Sequence, residues 1–88
     1  MSTERFVLRH GGQQRLTGAL VSVGWVGVLD SGAPGAEVGI ASPSGRAVEA
    51  VSAGGAIAVP GAGTLHVRDV LLGRAEERGR IACEWEAS

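Results

Sequence analysis

The side chains best suited to catalysis or metal binding are spread along this 88-residue chain: His10, His66, Asp69 and Cys83. A Cys–His pair forms a nucleophile only where a positive neighbour favours the thiolate and solvent reaches it. Cys83 stands between Ala82 and Glu84, on the apolar side of an alternating segment. The alternation therefore predicts a buried structural thiol, and it predicts that His66 points outward beside Glu86.

Neither metal binding nor phosphate binding has its usual spacing in this sequence. The two histidines and the cysteine stand far apart, whereas structural zinc sites bring their ligands in closely spaced pairs. The glycine-rich segments 52–55 and 60–63 each lead into another predicted strand, so they lack the helix N-terminus that holds a phosphate. No nucleophile motif of the G-x-S-x-G type occurs. The sequence thus favours a non-enzymatic protein with no catalytic residue, no metal site and no cofactor.

The charge and the aromatic content disfavour a nucleic-acid partner. The net charge is −1, the eight basic residues are all arginine, and the aromatic residues are one Phe and two Trp. Nucleic-acid binders concentrate positive charge on one surface, and binders of single strands add aromatic platforms on which the bases stack. We therefore expect a protein partner rather than a nucleic acid.

The cysteine count and the longest apolar run bear on location. With Cys83 alone, an internal disulfide is impossible, which is typical of a reducing compartment. The apolar run 19–29 is shorter than the roughly 20 residues that span a bilayer. With the arginines before it, the run loosely resembles a signal peptide, but Glu4 and Asp30 interrupt that pattern. We predict a cytoplasmic protein without membrane association.

Glycine and proline divide the sequence into short segments rich in Val, Leu and Ile, and no long segment has helical periodicity. This rhythm predicts one all-β domain over residues 1–88, a small antiparallel barrel or sandwich of six to seven short strands. The predicted extended segments are 4–9, 14–17, 19–29, 37–42, 47–51, 56–59, 64–72 and 81–86. Of these, 14–17 is only a short piece.

The last two segments alternate clearly enough to predict how they pair. Residues 80–86 place Ile81, Cys83 and Trp85 on one side and charged residues on the other. A register that matches apolar with apolar residues and opposite charges with each other is favoured. The predicted pairs are Leu71–Ile81, Val67–Trp85, Arg68–Glu84 and His66–Glu86.

Asp69 conflicts with this register because it falls on the apolar side, opposite Cys83. A β-bulge would turn Asp69 outward and return Val70 to the core. Alternatively, Asp69 stays inside and accepts a hydrogen bond from a donor such as the Trp85 indole N–H. In either case Trp85 is expected to be among the most buried residues, packed against Val67.

The segment 19–29 is apolar on both faces, although a strand with one wet face should alternate. The strand could bend at Gly24 or Gly27 and so change the face that meets the core. Otherwise a second copy or another protein covers one face, with Val23, Trp25 and Val28 as the predicted interface. The segment therefore suggests a homo-oligomer, and a homodimer as its simplest form.

These observations favour a small non-enzymatic module for protein interaction or assembly, bound to itself or to another protein. One alternative is a ligand-binding or cyclase-like β-barrel whose cavity holds Asp69, His66 and a tryptophan. A second alternative is a small nucleic-acid-binding barrel that uses its arginines.

Overall fold

Short alternating segments that end at glycine turns form eight strands in the computed structural model, which describes residues 3–73 and 78–88. Four strands pair in the order β1-β8-β7-β6, here called the first sheet, and four in the order β2-β3-β4-β5, the second sheet. All pairs are antiparallel. The strands are β1 (Thr3–Arg9), β2 (Gln13–Leu16), β3 (Ala19–Val28), β4 (Pro34–Ser42), β5 (Gly45–Ser52), β6 (Ala56–Val59), β7 (Gly63–Leu71) and β8 (Arg80–Ala87).

The prediction of an all-β fold is confirmed, but the predicted count of six to seven strands was too low and no closed barrel forms. The hydrogen-bonded ladder is split between two sheets because the chain changes sheet at two corners. One corner lies between β1 and β2, where Gly11 has a positive φ of 80°. The other lies between β5 and β6, where Gly54 has a φ of 89°. Glycine adopts these left-handed conformations without steric cost.

The core lies between the two sheets and is built almost entirely from aliphatic side chains, with Trp85 as its largest fully buried member. The predicted burial of Trp85 is therefore confirmed. Its indole Nε1–H donates to the carbonyl of Thr17 at 3.0 Å, across the sandwich from β8 to the β2–β3 turn. Gly63 makes room for the ring, since a Cβ there would lie 2.7 Å from Cζ2 of Trp85.

The predicted register of β7 against β8 was wrong by two residues at the Trp85 end. Leu65, not Val67, lies opposite Trp85, and Val67 lies opposite Cys83. A shift of two residues keeps every side chain on its predicted face, so Leu65 and Val67 are buried as expected.

A β-bulge lies between Val67 and Asp69, so the first of the two accounts of Asp69 is correct. Asp69 is exposed, and Val70 returns to the core opposite Ile81. Leu71 is consequently turned outward, opposite Arg80, instead of pairing with Ile81. The extra residue reverses the alternation after the bulge, as predicted for Val70, and the same reversal makes the predicted Leu71–Ile81 pair wrong.

We expect Trp85→Ala to lower the free energy of unfolding by about 3–5 kcal/mol, because it leaves a large cavity between the sheets. Trp85→Phe should lose less, since the ring largely fills the space while the Thr17 carbonyl loses its donor. Urea titration followed by circular dichroism measures both. An unchanged unfolding midpoint in Trp85→Ala would contradict this account of the core.

A second prediction concerns acid. The Glu4 carboxylate accepts hydrogen bonds from the Thr17 side chain and from Thr17 N at 2.8 Å, and these lower the pKa of Glu4 below its ordinary 4.5. A group whose pKa is lowered by folding stabilises the fold above its unfolded pKa, and this contribution is lost as the pH falls through the folded pKa. Glu4→Gln should therefore be less stable than the parent at pH 7, and the difference should shrink below about pH 4. Unfolding titrations at several pH values measure this, and a pH-independent difference would exclude the ionic contribution.

Candidate functional site

The two residues predicted for a polar ligand site, Asp69 and His66, do not face the interior of the sandwich. Asp69 is exposed, and its Oδ1 accepts a hydrogen bond from Val70 N at 2.9 Å. His66 lies on the outer side of the first sheet, where its Nε2 is 4.0 Å from Oε1 of Glu86. In the described part of the chain no polar or charged residue is buried in the core. These positions give no support to a cavity with Asp69 as its polar group.

Cys83 lies in the core as predicted, and desolvation by burial raises the pKa of its thiol to about 12. Such a thiol stays protonated at neutral pH and is a poor nucleophile. Across residues 3–73 and 78–88, no group of three His, Cys, Asp or Glu side chains is placed to hold a metal ion.

His10 has a structural contact that the sequence did not suggest. Its Nδ1 accepts a hydrogen bond from Val26 N at 3.2 Å, so the described contact requires an unprotonated Nδ1. Its own backbone N donates to the Gly79 carbonyl at 2.9 Å. His10 therefore connects the end of β1 to β3 and to the residue before β8. The Val26 amide and the Gly79 carbonyl, which make these contacts, are far from His10 in the chain, and no local sequence pattern marks them.

The apolar strand β3 contains a bulge between Val23 and Trp25, at one of the two glycines where a bend was predicted. Before the bulge the odd-numbered residues face the core, and Val23 is only 1% exposed. After it Val26 packs against the core and Trp25 points outward, 39% exposed. Of the three predicted interface residues, Val23 thus lies in the core, whereas Trp25 and Val28 reach the surface, Val28 at 54% exposure.

Trp25 does not project freely into solvent, because its ring packs over Gly27, and Leu29 packs over the neighbouring Gly35. Gly27 and Gly35 are opposite each other on β3 and β4. A Cβ at Gly27 would lie 2.5 Å from Cζ2 of Trp25, and one at Gly35 would lie 2.5 Å from Cγ of Leu29. The ring and the leucine thus cover the sheet where side chains are missing. This close packing holds one side of Trp25 in place and leaves the rest of the ring exposed.

The outer surface of the second sheet, here called the apolar face, extends from Trp25 across three further strands. Cross-strand registers place Leu20 beside Ala41, Ser22 beside Gly39, and Gly39 beside Val48. Val48 is the most exposed of the large hydrophobic residues, at 69%. The outward residues of the apolar face are Gln13, Arg15, Leu20, Ser22, Trp25, Glu37, Gly39, Ala41, Arg46, Val48 and Ala50.

The outer surface of the first sheet has a different character, because ion pairs cross it. The Glu84 carboxylate forms ion pairs with Arg5, whose Nε is 3.2 Å away, and with Arg68, whose Nη2 is 3.4 Å away. The predicted pairs Arg68–Glu84 and His66–Glu86 both occur, although diagonally rather than directly opposite. Desolvation is the largest single influence on the pKa of Glu84 and raises it, but the hydrogen bonds and charges of the two arginines together lower it below its ordinary value.

Charge on the apolar face is separated by sign. At one end, Arg15 and Arg46 flank the Leu20–Ala41 pair and line a shallow groove of about 400 Å³. At the other end, Glu37 lies between Trp25 and Ala50. A second groove there, of about 450 Å³, is lined by Trp25, Val28, Leu29, Asp30, Ser31, Glu37 and Ala50. In the row midway between these ends, β3, β4 and β5 carry the small or apolar residues Ser22, Gly39 and Val48, and β2 carries Gln13.

Comparison of the chain with protein-family models, curated proteins and solved structures finds no match. Within the described ranges, no helix is long and apolar enough to cross a membrane.

The bulge at Gly24 can be tested with two deletions. Removing Gly24 takes out the extra residue and keeps Val23 inside and Trp25 outside, so we expect a folded protein that is about 1–2 kcal/mol less stable. Removing Ser22 instead places Gly24 at the core position of Val23, and we expect a loss of about 3 kcal/mol or more. Urea titrations of the two variants compare them directly. Equal losses would show that Gly24 is not the extra residue.

Proposed function

We propose that this protein is a non-enzymatic interaction module that binds a protein partner on the apolar face. The observation that carries the proposal is the contrast between the two outer surfaces. The first sheet also exposes Val7 and Leu71, but the Arg5–Glu84–Arg68 network beside them is typical of a solvated surface. The second sheet exposes Trp25 and Val48 around a patch of small residues. Contiguous exposed apolar patches of this kind, bordered by polar residues, are typical of binding sites.

Trp25 has the properties of an anchor for such a partner. Tryptophan is enriched among the residues that contribute most to binding energy, and aromatic residues are enriched in interfaces. Contact of its ring with Gly27 already restricts the side chain in the free protein. Binding of a partner over the ring therefore costs less conformational entropy than it would if the Trp25 side chain were mobile in the free protein. Burial of the exposed part of the indole then adds favourable apolar contact.

The two polar alternatives receive less support from the surface. Two of the eight arginines, Arg5 and Arg68, are paired with Glu84, which makes them less available to a nucleic acid. The polar pair Asp69 and His66 lies outside the sandwich. We also propose a cytoplasmic location, which is supported by the single cysteine and its buried thiol.

Photo-crosslinking in the producing cell tests this function with two matched positions. Ala50 on β5 and Ala58 on β6 are both exposed alanines of edge strands, but only Ala50 belongs to the apolar face. A photoreactive residue at position 50 should give an adduct of one defined mass, identified by mass spectrometry, and position 58 should not. Val48→Arg should abolish the adduct because it places a charge in the apolar patch.

Val7→Arg is the matched control for Val48→Arg. Val7 is an exposed valine on β1 of the first sheet, opposite Ala82, and its replacement should leave the adduct unchanged. Thermal unfolding confirms that both variants are folded. No adduct at position 50, or equal adducts at positions 50 and 58, would refute the proposed binding face.

A further inference from the structure

We infer that the partner on the apolar face is a second copy of this chain, stacked sheet on sheet about a two-fold axis that runs across the strands. The inference rests on the proposed function, since it names the partner of the same face. It is carried by the arrangement of charge: Arg15 and Arg46 lie at one end of the face and Glu37 at the other, with an uncharged middle row between them.

The spacing of these charges along the strands suits a copy that runs in the opposite direction. On β4, Ala41 lies in the row of Arg46, and Glu37 is four residues away, or about 13 Å along the strand. The row of Gly39 and Val48 lies midway between them. A two-fold axis along that middle row exchanges the two ends, so the acidic end of each copy covers the basic end of the other.

Stacking in this way makes contacts of the right kind at each position. Glu37 of the second copy lies over Ala41, one strand away from Arg46, at a spacing of about 4.8 Å across the sheet. Trp25 of the second copy lies over Leu20, since both are on β3 at corresponding rows. On the axis itself, Val48 meets Val48 of the second copy. Gly39 and Ser22 beside it are small enough to let the two sheets approach to the usual distance of about 10 Å.

The other two-fold arrangement, with its axis along the strands, is disfavoured by the same charges. It would exchange β2 with β5 and keep each row in place. Arg15 would then lie over Arg46 of the second copy, and Arg46 over Arg15. Like charges brought together in an interface oppose association. The charge pattern therefore selects the axis across the strands.

The small size of the face limits how strong this association can be. Three strands over about seven residues of length, with β2 over its four residues, correspond to roughly 800 Å² of total buried area in a pair of copies. Stable interfaces usually bury about 1,200–2,000 Å², so the dimer belongs at the weak end of specific interfaces. We expect a two-fold symmetric dimer, as most homodimers are, with a dissociation constant of about 10–100 µM.

Sedimentation equilibrium of the purified full chain, from about 5 µM to about 1 mM and at low and high salt, tests the inference around the expected dissociation constant. The parent should change from monomer to dimer over this range, with weaker association at high salt because the end-to-end charge pairs are screened. Glu37→Arg and Arg46→Glu should each weaken dimerisation by at least about tenfold, since each places like charges together. The double variant restores opposite charges and should recover dimerisation to within about threefold of the parent.

Glu49→Arg is the matched control for charge. Glu49 is an exposed residue of β5 opposite Val38, on the side of the strand away from Arg46 and Val48, so this change should not alter dimerisation. Val48→Arg is a second, independent variant and should also give monomers, because it places two arginines together on the axis. Circular dichroism verifies that each variant is folded.

Two results would overturn the inference: a parent that stays monomeric at about 1 mM, well above the expected dissociation constant, or a double variant that stays as weak as the single ones. If the purified chain is monomeric while position 50 is crosslinked in cells to a different protein, the interaction module stands and self-association is wrong. If position 50 gives no adduct and the purified chain is monomeric, both proposals are refuted. A dimer that dissociates with Glu37→Arg and re-forms in the double variant supports both.

Discussion

The burial of a single large ring between two sheets is the constraint on which this sandwich depends. The chain has only three aromatic residues, so aliphatic side chains fill most of the core and Trp85 occupies a space that none of them could fill. Because the buried indole N–H must find an acceptor, Trp85 also determines where the β2–β3 turn lies, through the Thr17 carbonyl. The Glu4 carboxylate on β1 accepts a hydrogen bond from the Thr17 N–H. Residues of the first sheet therefore bind Thr17 at both its N–H and its C=O.

Two β-bulges determine which residues face outward on the long strands. In β3 the bulge at Gly24 turns Trp25 outward and directs Val26 to the core. In β7 the bulge before Asp69 turns that carboxylate outward and returns Val70 to the core. Each bulge solves a local conflict between alternation and burial by adding one residue. The bulge in β3 also places the ring of Trp25 on the outer surface of the second sheet, where the residue is 39% exposed.

The outer surfaces of the two sheets consequently differ in what they can bind. Charged side chains on the first sheet interact with one another and gain little from a partner, because solvent already stabilises them. The second sheet presents apolar and small side chains whose contact with water is unfavourable, and its charges are separated to opposite ends. The partner that we propose, a second copy of this chain in reversed orientation, would cover the apolar side chains and bring opposite charges together.

The sequence by itself determined the fold class and the buried face of the last strand, because the alternation of Ile81, Cys83 and Trp85 with charged residues allows only one face to be apolar. It also indicated that segment 19–29 must either bend or be covered by a partner, but the residues of the segment are compatible with both outcomes. Only the tertiary structure decided the register of β7 on β8, the split into two sheets and the burial of Val23. The physical reason is that bulges, corners and the acceptor for Trp85 are set by contacts between residues far apart in the chain. A periodic pattern within one segment contains no information about such contacts.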